Sequence, residues 1–406
     1  MKHIFKYLLF LLIGFLIYLN CSLYYKPQFV KIENEVVNKE VYHQLQFLNT
    51  ALQNGAGKKM QQLFPEGFVF INALYGLSWY ELISELPTDA AIYKEGITQI
   101  RFALNEINSS NGKRTFDENL PLSYGAFYKG WSNYLLGKLL EVQPQETQSK
   151  TEEDLFISNC KEIATALNNS NTPFLESYHK QAWPADMLLC IASLNIHDNI
   201  FANNYETEIT KWPTAIKERV DINGLIPHKV DAETGYSIED ARGNSQSLIL
   251  NFLFEIDADF TKQQFKKYDR LFSDSRFGLS GIRQYPSGIK GGGDIDSGPI
   301  IFGIGGAASI VGQRVYAQQN DWATYEGLRN SIESFGFGLT INKKKRYIFG
   351  QLPMADAFIC WSNAIEKTSD QVKVTTNWRI MFHLYSAFVL AVLFLIFKLL
   401  KTKPVS

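Results

Sequence analysis

The residues best suited to chemistry lie in a few short stretches that join carboxylates, arginines and aromatic rings. The richest is Gly291-Gly292-Gly293-Asp294-Ile295-Asp296-Ser297-Gly298-Pro299. Its glycines open backbone conformations closed to other residues, so one aspartate can be aimed at a cleft while the other accepts from backbone amides. With Pro299 as the first helical residue, both aspartates stand ahead of a helix N-terminus, where negative charge is favoured. Trp183-Pro184-Ala185-Asp186 has the same logic, with an aromatic beside the carboxylate. Asp186 is therefore either a helix-start charge or a cleft carboxylate, and Asp356, three residues after Pro353, repeats the choice. Paired carboxyl groups are what glycoside cleavage requires, one protonated to donate to the leaving oxygen and one ionised to activate water or attack.

Other groups could serve the same cleft. Arg242, in Ala241-Arg242-Gly243-Asn244-Ser245, and Arg283, in Gly281-Ile282-Arg283-Gln284-Tyr285, could clamp an anionic group or tie loops together through carbonyls. Trp183, Tyr236 and Tyr285 offer faces for stacking on a sugar, and His228 shares a loop with Tyr236. His197 follows Asp186 by 11 residues, about three turns deeper on nearly the same helix face. It is either a buried, satisfied histidine or the polar floor of a pocket. Cys190 lies inside an apolar helical run, as do Cys160 and Cys360, and reads as a small buried hydrophobe or as a nucleophile or acid.

Several chemistries are excluded. There is no P-loop, dinucleotide fingerprint, HExxH or Gly-x-Ser-x-Gly, and no His/Cys cluster has metal spacing, so no cofactor and no metal is expected. Asp294 and Asp296 do not have the spacing of a calcium loop. Net charge is −1 with scattered Lys and Arg, which argues against a nucleic-acid partner.

The elements that must position these groups read as helices. Ile4–Tyr25 and Ile380–Phe397 are apolar over lengths that can cross a bilayer, the first broken only by Lys6. Lys2 and Lys6 lie at the outer end of the first, and Lys398, Lys401 and Lys403 follow the second. This places both termini in the cytoplasm and the intervening domain outside. No small-x-small site follows the first segment, so it is expected to remain as an anchor. Between them, amphipathic segments (Asn38–Leu63, Ala90–Ile107, Glu152–Leu167, Asn204–Val220, Phe260–Phe272, Trp322–Phe335) alternate with segments that are apolar nearly all round. The latter start near Tyr75, Tyr128, Asp186, Asn244, Ser297 and Asp356, at intervals of 53–59 residues. Such a repeat, holding one wet and one greasy helix, is a helical-hairpin array. Six hairpins predict an all-α (α/α)6 toroid over residues 38–366, between an anchor at 1–25 and a second span at 380–397 with a basic tail at 398–406. The long connections, 108–121, 168–183, 221–243, 273–296 and 336–353, all enter apolar helices at their N-termini. They therefore share one end of the ring, where function is expected.

The segments Trp183–Cys190 (WPAD…C), Ala241–Ser245 (ARGxS) and Gly293–Pro299 (GDxDSGP) resemble those of a group of bacterial membrane proteins within the six-hairpin glycosidase-like superfold, over roughly residues 40–365. The pattern is also distantly similar to linalool dehydratase/isomerase, whose apolar pocket uses a cysteine pair with Asp, His and Tyr. That resemblance makes Cys190 the second cysteine, while Gln181 stands where the first belongs. It implies three classes of function: a carbohydrate-active hydrolase or lyase, a lyase on an apolar alcohol, or a glycan- or partner-binding membrane protein. The expected partners are a lipid bilayer and either an oligosaccharide or a lipophilic small molecule.

Overall fold

The computed structural model describes residues 2–32, 34–368 and 377–401, so residues 402–406 of the expected basic tail lie outside it. The described chain is mostly helical, with 61% of residues in helix and few short strands. In chain order the helices are α1 Lys2–Ser22, α2 Lys39–Gln53, α3 Ala56–Leu63, α4 Gly67–Ile83, α5 Ala91–Asn108, α6 Ser110–Lys113, α7 Gly125–Val142 and α8 Lys150–Asn168. They continue as α9 Pro184–Ile200, α10 Glu206–Lys217, α11 Gly243–Leu253, α12 Ala258–Phe272, α13 Gly306–Gln318, α14 Trp322–Phe335, α15 Pro353–Asn363 and α16 Ile380–Lys401.

Two kinds of helix alternate. α5, α8 and α12 bury one stripe and wet the other, α5 through Ile92, Ile97, Ile100 and Leu104. α4, α7 and α9 are buried on nearly every side, as helices without a polar face must be. These apolar helices pack in succession: α4 on α7, α7 on α9, α9 on α11, α11 on α13, α13 on α15, and α15 back on α4. Close approach depends on small residues. A Cβ on Gly130 of α7 would stand 2.9 Å from the Asp186 carbonyl oxygen of α9.

Several boundaries differ from the sequence expectation. The first amphipathic segment breaks at Gly55, whose φ of 82° ends α2 and begins α3. α4 begins at Gly67, well before Tyr75. α11 begins at Gly243, behind Arg242, and neither Asn244 nor Ser245 caps it. α13 does not begin at Pro299. Ile300–Ile301 and Ile304–Gly305 pair as a hairpin first, because a β-branched run around Phe302-Gly303 favours strand and turn over helix. Similar hairpins occupy the other long connections, joining Ser273–Arg276 to Leu279–Ile282 and Leu339–Ile341 to Lys344–Arg346. Gln181–Ala182, Lys229–Asp231 and Ser237–Glu239 form a three-stranded sheet, the last two lying in the 221–243 connection.

The far end of the bundle, where the apolar helices finish, is closed by balanced charges. Glu81 pairs with Arg314 and, at 2.8 Å, with Lys367; Lys138 reaches Glu255 at 3.2 Å; together they surround a hollow of about 230 Å³.

α1 and α16 are the two helices long and apolar enough to cross a membrane. They lie antiparallel, with Phe10 against Phe397 and Tyr24 against His383. His383 also reaches Asn20 Oδ1 at 2.6 Å and Tyr24 Oη at 2.8 Å. Their domain-proximal ends dock on α14: Asn330 donates to the Leu23 carbonyl at 2.8 Å, and Arg379 meets Glu326 at 3.0 Å. Arg329 donates to the Tyr25 carbonyl at 3.2 Å and holds Glu366 at 2.9 Å, both charged side chains being almost fully buried.

Removing one partner of a buried ion pair strands the other charge. Glu366→Ala is therefore expected to cost roughly 3 kcal/mol of stability, read as the denaturant midpoint of the full chain in detergent. Lys150→Ala, at an exposed pair, should leave the midpoint where it is.

Candidate functional site

The N-terminal ends of four apolar helices bring their flanking side chains to one place. Pro184 opens α9, and Asp186 follows in its first turn, buried beneath the loop that precedes it. Ser177 of that loop donates its hydroxyl to Asp186 Oδ2 at 2.5 Å. Burial pushes the Asp186 carboxyl up to about 8, with the negative charges of Glu66 and Asp296 adding to the effect against the Ser177 bond. Glu66 directly precedes α4 and accepts from Tyr178 Oη at 2.6 Å. Tyr178 in turn packs edge-on to Trp183, the residue before α9, at 6.1 Å. Lys229 stands over the Trp183 ring at 4.8 Å.

The glycine-rich loop ahead of α13 supplies the other wall. Asp296 is recessed among protein atoms yet still open to water. This crowding, then Asp294 and Glu66, raises its carboxyl to about 6, with Arg242 pulling the other way. Asp294 behaves oppositely: against the effect of burial, the Ser297 amide at 2.9 Å and the Arg242 guanidinium at 2.5 Å hold its carboxyl below the ordinary range. Asp294 is thus tied to backbone and arginine, while Asp296 is left exposed on the same loop.

Arg242 is fixed between Asp294 and Glu239 and lies 5.8 Å from the Tyr285 ring. Its position depends on Gly243, where a Cβ would collide with the Arg283 carbonyl at 1.9 Å. His228 is buried close by, and burial followed by the nearby Arg242 charge lowers its pKa to about 3, so it is neutral at ordinary pH. Its Nδ1 has no partner among the described residues.

Not every expected residue joins this cluster. Arg283 braces its own loop, bonding Asp274 at 2.9 Å and the Tyr285 carbonyl at 3.2 Å. Tyr236 is at an exposed hairpin, with Arg219 5.9 Å from its ring. His197 is near the far end of α9, bonded to Asp198 at 3.0 Å and packed on Phe156, Phe201 and Tyr205; it is a satisfied core histidine. Asp356 accepts the Tyr347 amide at 2.7 Å and so holds the incoming loop to α15, with burial raising its carboxyl to about 7. The Cys190 thiol is fully buried, faces the Ala126 carbonyl at 3.5 Å, and is pushed upward by desolvation. Glu66, Ser177 and Tyr178 were not singled out in the sequence. Glu66 had a legible signal, Pro65-Glu66-Gly67 at the start of an apolar helix, the pattern of Pro184–Asp186 without a long loop in front.

The contrast with the far end of the bundle is electrostatic. There Glu81 and Glu255 each have a cation within ion-pair reach; here, among the described residues, no cation lies within ion-pair reach of Asp186 or Asp296. A broad hollow of about 970 Å³ on the outer flank, lined by α8 and residues 169–176, is separate from these carboxylates. Among the described residues no group of three His, Cys, Asp or Glu side chains is arranged to hold a metal ion. The chain matches no protein-family model and no curated protein.

Asp186 is raised in the folded state, so the native protein holds this proton where the unfolded chain releases it. Stability is therefore lost as pH rises from about 4 toward about 8 and levels off above. Asp186→Asn removes that slope. The difference between the two proteins, measured by denaturant midpoint, should widen by up to about 1.4 kcal/mol per pH unit across this window.

Proposed function

We propose that this chain is a membrane-anchored carbohydrate-active enzyme, a hydrolase working through paired carboxyl groups at one end of an (α/α)6 toroid. Support for the toroid is the closed succession of contacts from α4 through α7, α9, α11, α13 and α15 back to α4. Support for the anchoring is the antiparallel pair of long apolar helices. It carries both chain ends away from the domain to one side, as cytoplasmic termini and an extracytoplasmic domain require.

One arrangement carries the catalytic reading: two aspartates with no cation in ion-pair reach, close enough for Asp296 to raise Asp186, are driven to different protonation states. Asp186 is raised to about 8 and is protonated at neutral pH; Asp296 is raised to about 6 and is mostly ionised. Separated pKa values in one site assign the acid and the base. In this reading Asp186 gives its proton to the glycosidic oxygen as the anomeric carbon–oxygen bond breaks. Asp296 takes a proton from the water whose oxygen bonds to that carbon. Water is added across the bond, and proton exchange with solvent resets the pair. Trp183 and Tyr178 line the approach, and Arg242 holds the Asp294 loop that presents Asp296. The buried Cys190 thiol gives no support to thiol chemistry.

The test uses full-length protein in detergent, assayed against an oligosaccharide panel. Hydrolysis should follow a bell-shaped pH profile, with one limb near 6 from Asp296 and one near 8 from Asp186. Asp186→Asn and Asp296→Asn should each lower kcat roughly 100- to 10,000-fold. Undiminished hydrolysis after replacing Asp186, Asp294 and Asp296 together would falsify the reading.

A further inference from the structure

Four Phe-Gly pairs at the loop end have an unusual backbone. Phe277, Phe302, Phe337 and Phe349 all lie at φ between 51° and 58°, the left-handed region that bulky residues avoid. Two of them form the first half of two-residue hairpin turns, Phe277-Gly278 and Phe302-Gly303, with both residues at positive φ. Such turns favour Asn or Asp at the first position. All four rings are exposed, Phe302 by 67% and Phe349 by 62%. A strained backbone that presents an apolar ring to solvent asks for a reason outside the fold.

The neighbours of these rings supply it. Phe277 packs on Phe302 at 5.5 Å and on Tyr385 of α16 at 6.3 Å. Gly278 is pressed against the first turn of α16, where an added Cβ would come within 2.6 Å of Met381. Phe337 stacks on Phe349 at 6.1 Å, and on Tyr18 at 5.5 Å and Phe15 at 6.0 Å of α1. At a rise of 1.5 Å per residue, Met381 falls about 2 Å, and Tyr18, Phe15 and Tyr385 roughly 6–10 Å, along α1 and α16 from their domain-proximal ends. Interfacial segments of membrane proteins reach about that depth. The same rim continues to the site: Ile295, between Asp294 and Asp296, is 58% exposed. On the 108–121 connection, by contrast, the exposed side chains include Arg114, Asp117, Glu118 and Asn119.

We infer that the four Phe-Gly tips are seated in the outer leaflet of the bilayer that α1 and α16 cross. The carboxylate cleft then opens at the lipid surface, and its substrate is a lipid-borne saccharide. The sugar reaches Asp186 and Asp296 while its hydrocarbon tail stays among the lipids beside Phe302 and Ile295. This substrate class rests on the hydrolase reading above; the seating in lipid does not.

The experiment has two arms, both with full-length protein in lipid nanodiscs. In a Cys21→Ser background, Phe277→Cys, Phe302→Cys, Phe337→Cys and Phe349→Cys are spin-labelled one at a time, with Tyr236→Cys as an exposed control. All four labels should be accessible to oxygen and shielded from a water-soluble nickel relaxant, and the control should be the reverse. In the second arm one oligosaccharide is supplied free and attached to a lipid tail. The attached form should show at least tenfold higher kcat/KM. Replacing all four phenylalanines with asparagine, which suits the turns, should erase that advantage and leave turnover of the free sugar unchanged. Water-exposed tip labels overturn the seating even if free sugar is cleaved. Lipid-buried labels with equal turnover of the two forms overturn the substrate class alone. Buried labels with neither form cleaved overturn the hydrolase reading and with it the substrate class.

Discussion

A helix that is apolar around its whole circumference cannot stand at a protein surface, and six such helices in one chain must cover one another. That constraint organises the rest of this molecule. Each greasy helix packs on two of its kind and is backed by a wetter one. Because the connections alternate in length, one end collects short turns and the other collects every long loop. Residues far apart in sequence, from Glu66 to Asp296, are neighbours for that reason and not through any local motif.

The two ends then diverge in charge. Where helices finish, Glu81, Glu255, Arg314, Lys138 and Lys367 neutralise one another and form a plug. Where helices begin, carboxylates crowd together with one arginine already committed to Asp294 and Glu239. Burial first, and this crowding of charge second, make Asp186 and Asp296 give up their protons late.

The alternation of wet and greasy segments was readable because periodicity is a property of the chain itself. The pairing of Asp186 with a loop aspartate followed from knowing which ends the loops share. What stayed illegible depended on geometry beyond the local pattern. Tyr236 and Arg283 lie in the right loops but turn toward Arg219 and Asp274, because a hairpin directs alternate side chains to opposite faces. His197 shares a helix with Asp186, yet the depth of the bundle separates them. Glu66 carries a weaker signal because only a short turn precedes its helix, whereas Asp186 and Asp296 follow long loops. Pro299 suggested a helix start; the isoleucines after it preferred a hairpin, and the aspartates are accordingly carried further from α13 than expected.

The pair formed by α1 and α16 contains one polar knot, in which the His383 ring meets the Asn20 amide and the Tyr24 hydroxyl. Polar groups are costly to leave unsatisfied between apolar helices, so the two helices can neither slide nor roll past each other without losing both hydrogen bonds. The azimuth of the domain is thereby locked from within the stalk. Three side chains of the helix pair set the rotation at which the Phe-Gly rim meets it.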